Sequence, residues 1–196
     1  MKLKKTNAKR IQNPKTIFFL TSNKSKFKEA EKILNKFGIK IISKNSKGIE
    51  IQSNSLEEIA RVCAKKAYES LKRPLIVEDS GLFIDSLKGF PGPYSSYVLK
   101  TVGCKGILDL LGQKRRRSAK FIAVVAYASK NKIKIFKGVV NGKISKKIFK
   151  GKGFGYDPIF IPNGYSKPFS ILYSIKEKIS HRALAFEKLG KYLKGE

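Results

Sequence analysis

The chain has 196 residues, 41% of them hydrophobic, which excludes wholesale disorder and suffices for one core and one domain. Lys and Arg number 43 against 14 acidic residues, a formal charge of +29, yet no apolar run approaches the roughly 20 residues of a membrane-spanning helix. Because no hydrophobic segment follows the basic start as in a signal peptide, we expect a cytoplasmic protein without a membrane partner.

The positive charge raises nucleic acid as a possible partner. Lysine dominates, however, and is spread along the whole chain rather than concentrated in one segment. We therefore expect no specific nucleic-acid partner, while a nucleic-acid-binding protein stays open as the alternative class. The two cysteines, Cys63 and Cys104, show neither metal-ligand spacing nor a disulfide framework.

The chain opens with residues 1–15, which are basic and aperiodic and predict a flexible tail ahead of a single domain at 16–196. Residues 17–20 predict a buried strand, and small polar residues follow at 21–26. Apolar residues then recur at helical spacing over 27–37. Such a strand–loop–helix unit can hold a phosphate on its loop amides and helix N-terminus, although the P-loop signature is absent and an ordinary turn is the alternative.

Two further extended pieces are predicted at 39–43 and 48–52, the second with Glu50 between two apolar residues. Ser55 is predicted to cap the next helix, with Glu58 completing a capping box. The apolar stripe of that helix runs to Leu71.

The segment 74–94 is the most distinctive part of the chain. Residues 75–77 predict a short buried strand that ends on Glu78 and Asp79, with Ser80 and Gly81 forming a turn. A buried strand that delivers carboxylates to an open turn is suited to binding a metal ion. The alternative is an acidic strand end that faces water.

The second half of the chain predicts two short helices divided at Gly103 and a basic loop at 113–117. A hairpin is predicted from strands at 119–127 and 133–140. The Asn141-Gly142 pair then predicts a tight turn into a third strand at 143–149, so the sheet is expected to be mixed.

Residues 151–158 are rich in glycine and aromatic residues, which allow backbone to approach a ligand and offer rings for stacking. A short strand is predicted at 159–162. Ser180 is predicted to cap the last helix, with His181 and Arg182 in its first turn, where cations oppose the helix dipole. Both a solvated and a functional role are compatible with that pair.

Four separated blocks occur in a specific order: TSNKSK at 21–26, VEDSGLFIDSLKGFPGPYS at 77–95, GKGFGYDPIF at 151–160 and KEKISHRALAF at 176–186. Together they resemble the inosine triphosphate pyrophosphatase (Ham1-like) family, over 17–193. The resemblance implies an α/β fold with a mixed elongated central sheet flanked by helices, two lobes around a nucleotide cleft, and a homodimer.

The resemblance also implies Mg²⁺-dependent hydrolysis of ITP, dITP and XTP to the monophosphate and pyrophosphate, which cleanses the nucleotide pool. Glu50 and Asp79 would bind the metal, and Asp79 would also take the proton of the attacking water. The 6-oxo group would be read by His181 and Arg182. The substrate-binding residues implied by the motifs are Thr21, Ser22, Asn23, Lys24, Ser25, Lys26, Ser80, Phe154, Gly155, Tyr156, Asp157, Lys176, His181 and Arg182.

Three positions depart from the family pattern. Ser22 stands where glycine is usual, Cys63 where many members carry a lysine, and Ser170 near an expected glutamate. They put in question the backbone of the first loop, one phosphate contact and the loop before the last motif.

Overall fold

The computed structural model describes residues 16–45, 51–130 and 132–196, so the predicted tail at 1–15 and the predicted metal ligand Glu50 lie outside the described residues. These residues form one seven-stranded mixed sheet flanked by helices, which confirms the predicted α/β fold. The strands are β1 (Ile17–Leu20), β2 (Ile41–Lys44), β3 (Leu75–Ile84), β4 (Pro91–Gly92), β5 (Ser118–Ser129), β6 (Lys132–Ile144) and β7 (Phe160–Pro162). The helices are α1 (Lys24–Asn35), α2 (Leu56–Leu71), α3 (Ser95–Thr101), α4 (Gly103–Leu111), α5 (Tyr173–Ile179) and α6 (His181–Lys194).

The strand order is β2-β1-β3-β5-β6-β7, with β4 paired to β3 off that path. β1 runs parallel to β2 and β3, because helices α1 and α2 return the chain to the same end of the sheet. The β3–β5, β5–β6 and β6–β7 pairs are antiparallel. The predicted hairpin of β5 and β6 is therefore confirmed, as is the division of α3 from α4 at Gly103.

Helices cover both faces of the sheet. On β5, Ala123, Val125 and Tyr127 join the core under α1 and α6. The alternate residues Val124 and Ala126 join the core under α2. Because both faces are covered, the middle of β5 reads as a continuous apolar run rather than an alternating one.

The predicted end of β3 at Glu78 and Asp79 is wrong, because the strand continues to Ile84. β5 pairs with it along its whole length, from Leu75 opposite Ala128 to Ile84 opposite Ala119. Gly81 therefore lies within the strand instead of forming a turn. A Cβ at Gly81 would lie 2.2 Å from the carbonyl oxygen of Gly92, so glycine permits β4 to approach β3.

The predicted turn at Asn141-Gly142 is also wrong. β6 continues through it to Ile144, and residues 145–149 form no strand. Gly142 pairs with Pro162 of β7, and a Cβ there would lie 2.3 Å from the carbonyl oxygen of Ile161. The glycine is needed for close approach of a neighbouring strand and not for a hairpin.

Helix caps were predicted more successfully. Ser180 Oγ accepts a hydrogen bond from the Ala183 amide (3.1 Å), and Ser55 Oγ accepts one from the Glu58 amide (3.2 Å). The predicted capping box is only half formed, however, because the Glu58 carboxylate accepts from the Ser53 hydroxyl (2.6 Å) rather than from the amide of Ser55. In the described part of the chain, no helix is long and apolar enough to cross a membrane.

Candidate active site

A cavity of about 410 Å³ opens where β1, β3, α3 and α6 converge. We call it the site cavity. It brings together most of the residues implied by the motifs, although they are spread over the whole chain. Those that line it are Thr21, Ser22, Asn23, Lys26, Asp79, Ser80, Phe154, Gly155, Tyr156, Asp157, Lys176, His181 and Arg182. Lys24 and Ser25 are not among its lining residues.

One end of the site cavity is the loop between β1 and α1. Asn23 caps the helix, and its Oδ1 accepts hydrogen bonds from the amides of Ser25 (2.9 Å) and Lys26 (3.1 Å). Thr21 Oγ1 accepts from the Asn23 amide (3.1 Å). Side chains of the loop therefore already satisfy part of its amides. The first turn of α1 contains no acidic residue, so the positive end of the helix dipole and Lys26 together favour an anion at this end.

The backbone at Ser22 stays outside the left-handed region, so serine is accommodated there without strain. The usual glycine is thus not required by this loop conformation. Cys63 lies half-buried on α2 and does not line the site cavity. A lysine at this position would have had to reach the cavity from α2.

The adjacent carboxylates Glu78 and Asp79 have different environments. Glu78 is buried, and its oxygens lie 3.1 Å from Arg182 Nη2 and 2.8 Å from Lys26 Nζ. Burial alone would raise the pKa of Glu78, but the two cations outweigh burial and lower the pKa to about 2. Glu78 therefore stays ionised and is already neutralised by the protein.

Asp79 is half-exposed, and its Oδ1 accepts a hydrogen bond from the Ser80 amide (2.9 Å). Burial raises the pKa of Asp79 to about 6; Lys26 opposes this rise, and the charge of Glu78 adds to it. Of the two acids, Asp79 is the one that keeps oxygen lone pairs directed to the cavity for a cation or a proton.

The residues present fit a magnesium ion. Mg²⁺ keeps several waters and needs only one or two carboxylates, and Asp79 offers one such hard oxygen donor beside the hydroxyls of Thr21 and Ser80. Among residues 16–45, 51–130 and 132–196 no cluster of three or more Asp, Glu, His or Cys that could enclose a metal is found. A single carboxylate beside two hydroxyls suits a water-rich Mg²⁺ site better than a closed structural one.

The other end of the site cavity is built from buried ion pairs. Glu29 of α1 bridges two cations, with Oε1 at 2.9 Å from Lys176 Nζ and Oε2 at 2.6 Å from Arg182 Nη1. Lys176 Nζ also lies 2.7 Å from Asp157 Oδ2. The side chains of Lys176 and Arg182 are only 2% exposed. Each buried cation is therefore fixed by at least two oxygens from different elements.

His181 and Arg182 keep hydrogen-bonding atoms without partners. Among the described residues, neither His181 Nδ1 nor Arg182 Nε has a hydrogen-bond partner, although both atoms are buried. Burial, and then the charge of Arg182, holds the pKa of His181 well below its usual range, so the imidazole is neutral. Unpartnered buried polar atoms are costly in a folded protein, and a ligand in the cavity would satisfy them.

The position of His181 is set from two sides. Its ring stacks on Phe121 with centroids 4.6 Å apart and planes 12° apart. Behind it, a Cβ at Gly138 of β6 would lie 1.9 Å from the His181 carbonyl oxygen, so α6 begins in direct contact with the sheet. Any side chain at 138 would push the start of α6 away.

Some residues of the loop at 153–157 fix the loop in place, and another contributes its ring to the cavity wall. Asp157 Oδ2 accepts from the Phe154 amide (2.8 Å), and Tyr156 donates its hydroxyl to the Ser95 carbonyl (3.0 Å). Gly153 has φ +108°, and a Cβ there would lie 2.4 Å from Asp157 Oδ2. Tyr156 and Asp157 are therefore anchors. Phe154 is half-buried, and its ring centroid lies 4.3 Å from Lys176 Nζ.

Ser170 supports this loop where an acid was expected. Its carbonyl accepts from the Lys152 amide (2.9 Å), its amide donates to the Asp157 carbonyl (3.1 Å), and its hydroxyl donates to the Phe149 carbonyl (3.1 Å). The serine is thus part of the loop's backbone support, and its buried side chain is satisfied.

Glu29 is the main site residue that was not predicted from the sequence. It lies one position before Ala30 and four before Ile33, on the buried side of α1. A carboxylate on the edge of an apolar helix stripe was the available signal, because such a charge needs a buried partner. No comparable signal in the sequence marks Phe121, Ser95 or Gly138, since each acts through a contact with residues distant in the sequence.

Comparisons with known proteins agree with this geometry. A sequence model of the Ham1 family matches residues 17–192. A protein of Ignicoccus hospitalis named dITP/XTP pyrophosphatase is 47% identical over 93% of this chain and 98% of the relative. One of the same name from Saccharolobus solfataricus is 47% identical over 89% of this chain and 91% of the relative. The solved Ham1 protein of Staphylococcus aureus is 30% identical, with a TM-score of 0.81 over 92% of this chain and 99% of that one.

Proposed function

The chain belongs to the Ham1 family, and from this we propose that it hydrolyses the non-canonical purine nucleotides ITP, dITP and XTP to the monophosphate and pyrophosphate. One observation carries the proposal. A single cavity combines a half-exposed carboxylate, Asp79, with unpartnered nitrogen atoms on His181 and Arg182. The relatives named dITP/XTP pyrophosphatase support the same reaction.

At the phosphate end, the loop at 21–26 and the N-terminus of α1 would bind the triphosphate, with Asn23 and Lys26 as the closest contacts. Asp79, together with Glu50, would hold Mg²⁺. When bound, the ion would neutralise phosphate charge and orient the attacking water.

The residues of this chain then determine the path of the proton. Asp79 accepts a proton from the attacking water, whose oxygen forms a bond to the α-phosphorus. The bond from that phosphorus to its bridging oxygen breaks, and pyrophosphate leaves. A pKa of about 6 places Asp79 close to the range in which a general base works at neutral pH. Ser80, which lies 3.3 Å from Arg182 Nη2, would contact the substrate between the two ends.

At the base end, Phe154 would stack on the purine, while Asp157 and Lys176 would form the walls around it. The 6-oxo group of inosine or xanthosine is an acceptor and would take hydrogen bonds from the donors of His181 and Arg182. Adenine presents an amino donor at that position. It would leave buried donors unpaired, and each such group costs about 1–3 kcal/mol.

We also propose a cytoplasmic homodimer. Tyr94, Tyr97, Val102 and Leu110 of the α3–α4 region are large apolar side chains with 45% to 70% exposure. Exposed apolar groups gathered on neighbouring helices are typical of an association surface. Sedimentation of the full chain tests this, and a monomer at micromolar concentration would contradict it.

The activity is tested by pyrophosphate release from ITP, XTP and ATP, with and without Mg²⁺. We expect ITP and XTP to be turned over far faster than ATP, and only with the metal. Equal turnover of ATP and ITP would remove the specificity, and turnover that survives Asp79→Asn would remove the catalytic assignment. The alternative, a nucleic-acid-binding protein, predicts salt-dependent DNA or RNA binding that is unaffected by Asp79→Asn.

A further inference from the structure

A second cavity, of about 690 Å³, is larger than the site cavity and is bordered by the loop at 153–157. Its walls are α1, α5 and residues 152–154. Phe154 lines both cavities, so the two are neighbours. Of the substrate-binding residues implied by the motifs, Ser25 and Phe154 line this space.

Lysines dominate the second cavity, which we call the lysine cavity. Five of its thirteen lining residues are lysines, against three of twenty-two around the site cavity, so the high lysine content of the chain does not by itself explain them. Lys28, Lys32 and Lys36 recur every fourth residue and form a row along α1 and the residue that caps its C-terminus. Lys152 and Lys178 face that row from the other walls.

The acids of the lysine cavity are already neutralised. Glu29 is held by Lys176 and Arg182 of the active site. Glu177 pairs with Lys32 at 2.6 Å. Within the described parts of the chain, the remaining lysines of the cavity have no carboxylate within ion-pair distance; they are Lys28, Lys36, Lys152 and Lys178.

Four unpaired cations around one concave space repel each other, and the repulsion is relieved when an anion enters. The walls also contain Tyr173, whose aromatic ring can contact a planar group. The volume falls within the range of sites that hold ligands of nucleotide size.

We propose that the lysine cavity is a second binding site, for a small phosphate-bearing ligand such as a nucleotide or an inorganic polyphosphate. The lysines bind the phosphates, and the ring of Tyr173 contacts the base when one is present. These lysines and Tyr173 take no part in the proposed reaction, so the site is independent of the hydrolase proposal, although Phe154 borders both cavities.

The test is a titration of the ¹⁵N-labelled full chain with inorganic tripolyphosphate and, separately, with AMP, followed by backbone amide chemical shifts. Salt is kept at about 0.15 M, where the Debye length is about 8 Å and diffuse attraction is largely screened. We expect saturable shifts at Lys152, Gly153 and Lys178. Shifts at Thr21 and Asn23 report the active site separately.

The key variant combines Lys28→Gln, Lys36→Gln and Lys178→Gln. We expect it to weaken binding at the lysine cavity at least about tenfold, because most of the unpaired charge is gone. Shifts at Thr21 and Asn23 should persist, which shows that the variant is folded.

The matched control combines Lys65→Gln, Lys66→Gln and Lys143→Gln, three exposed lysines on α2 and β6 that do not line the lysine cavity. It should bind like the unmodified chain. Shifts with both probes assign a nucleotide ligand, and shifts with tripolyphosphate alone assign an inorganic one. The proposal is overturned if neither probe shifts Lys152, Gly153 and Lys178, if both variants lose binding equally, or if only a DNA oligonucleotide produces the shifts.

Discussion

The two ends of the site cavity are built in opposite ways. At the base end, the side chains of Lys176 and Arg182 are 2% exposed and fixed by carboxylates from three elements. At the phosphate end, Ser22 and Asn23 are exposed and Asp79 is half-exposed. The base end can therefore reject a wrong base by leaving fixed groups unpaired, whereas the phosphate end stays accessible to metal, water and a flexible triphosphate.

The contrast between the two ends of the site cavity is tested most directly at the phosphate end, by Asp79→Asn. We expect hydrolysis of ITP to fall by about a thousandfold or more, because both the metal ligand and the proton acceptor are lost. Thermal stability should stay near that of the unmodified chain, since Asp79 makes no ion pair among the described residues. Pyrophosphate release and a melting curve measure the two effects. A large fall in melting temperature would show that Asp79 is structural.

At the base end the expected pattern is the reverse. Arg182→Ala leaves Glu29 and Glu78 buried with an absent partner, and breaking a buried pair typically costs about 3–5 kcal/mol. We expect a lower free energy of unfolding in urea and a loss of the preference for ITP over ATP. The control is Lys32→Ala, which breaks the exposed pair with Glu177 and should cost under about 1 kcal/mol. Equal losses from both variants would contradict the assignment.

Glu29→Gln sharpens the comparison, because it removes charge and keeps shape. Lys176 and Arg182 would lose their shared acceptor and shift within the base end. We expect the ratio of kcat/KM for ITP to that for ATP to fall about tenfold, which corresponds to 1.4 kcal/mol. Steady-state kinetics with both nucleotides measure it. Glu31→Gln, on the same helix without a described ion pair, should leave the ratio unchanged.

The smallest effect is expected from Tyr156→Phe. It deletes the hydrogen bond to the Ser95 carbonyl and leaves the ring in the core, a loss of about 1 kcal/mol of stability. Turnover of ITP should change little, because Tyr156 is only 3% exposed and its hydroxyl is held by the Ser95 carbonyl. Tyr165→Phe, at an exposed position, serves as the reference. A selective loss of ITP binding in the Tyr156 variant would show that its hydroxyl contacts the substrate.

The features that could be predicted from the sequence are those that depend on residues close together along the chain. The β1 strand, the Ser55 and Ser180 caps and the hairpin depend on neighbours and were predicted. The motif blocks brought the site residues together because the family pattern already encodes their proximity. Glu50, the second predicted metal ligand, lies outside the described residues and stays a prediction.

The wrong predictions mostly concern residues whose role is set by a part of the backbone that is distant in the sequence. Gly81 and Gly142 have the local signature of turns, but each is a glycine because another strand passes too close for a Cβ. The half-formed capping box is a local exception, because the Ser53 hydroxyl competes for the Glu58 carboxylate. Glu29 was missed because its partners come about 150 residues later.

That separation has a consequence for biosynthesis. Glu29 is made early, whereas Lys176 and Arg182 follow it by 147 and 153 residues. Until α5 and α6 are made, Glu29 lacks both of its cations, whereas Glu78 already has Lys26. The base end therefore cannot assemble before those two helices are made, and a product truncated ahead of α5 would leave Glu29 uncompensated and be a ready substrate for quality-control proteases.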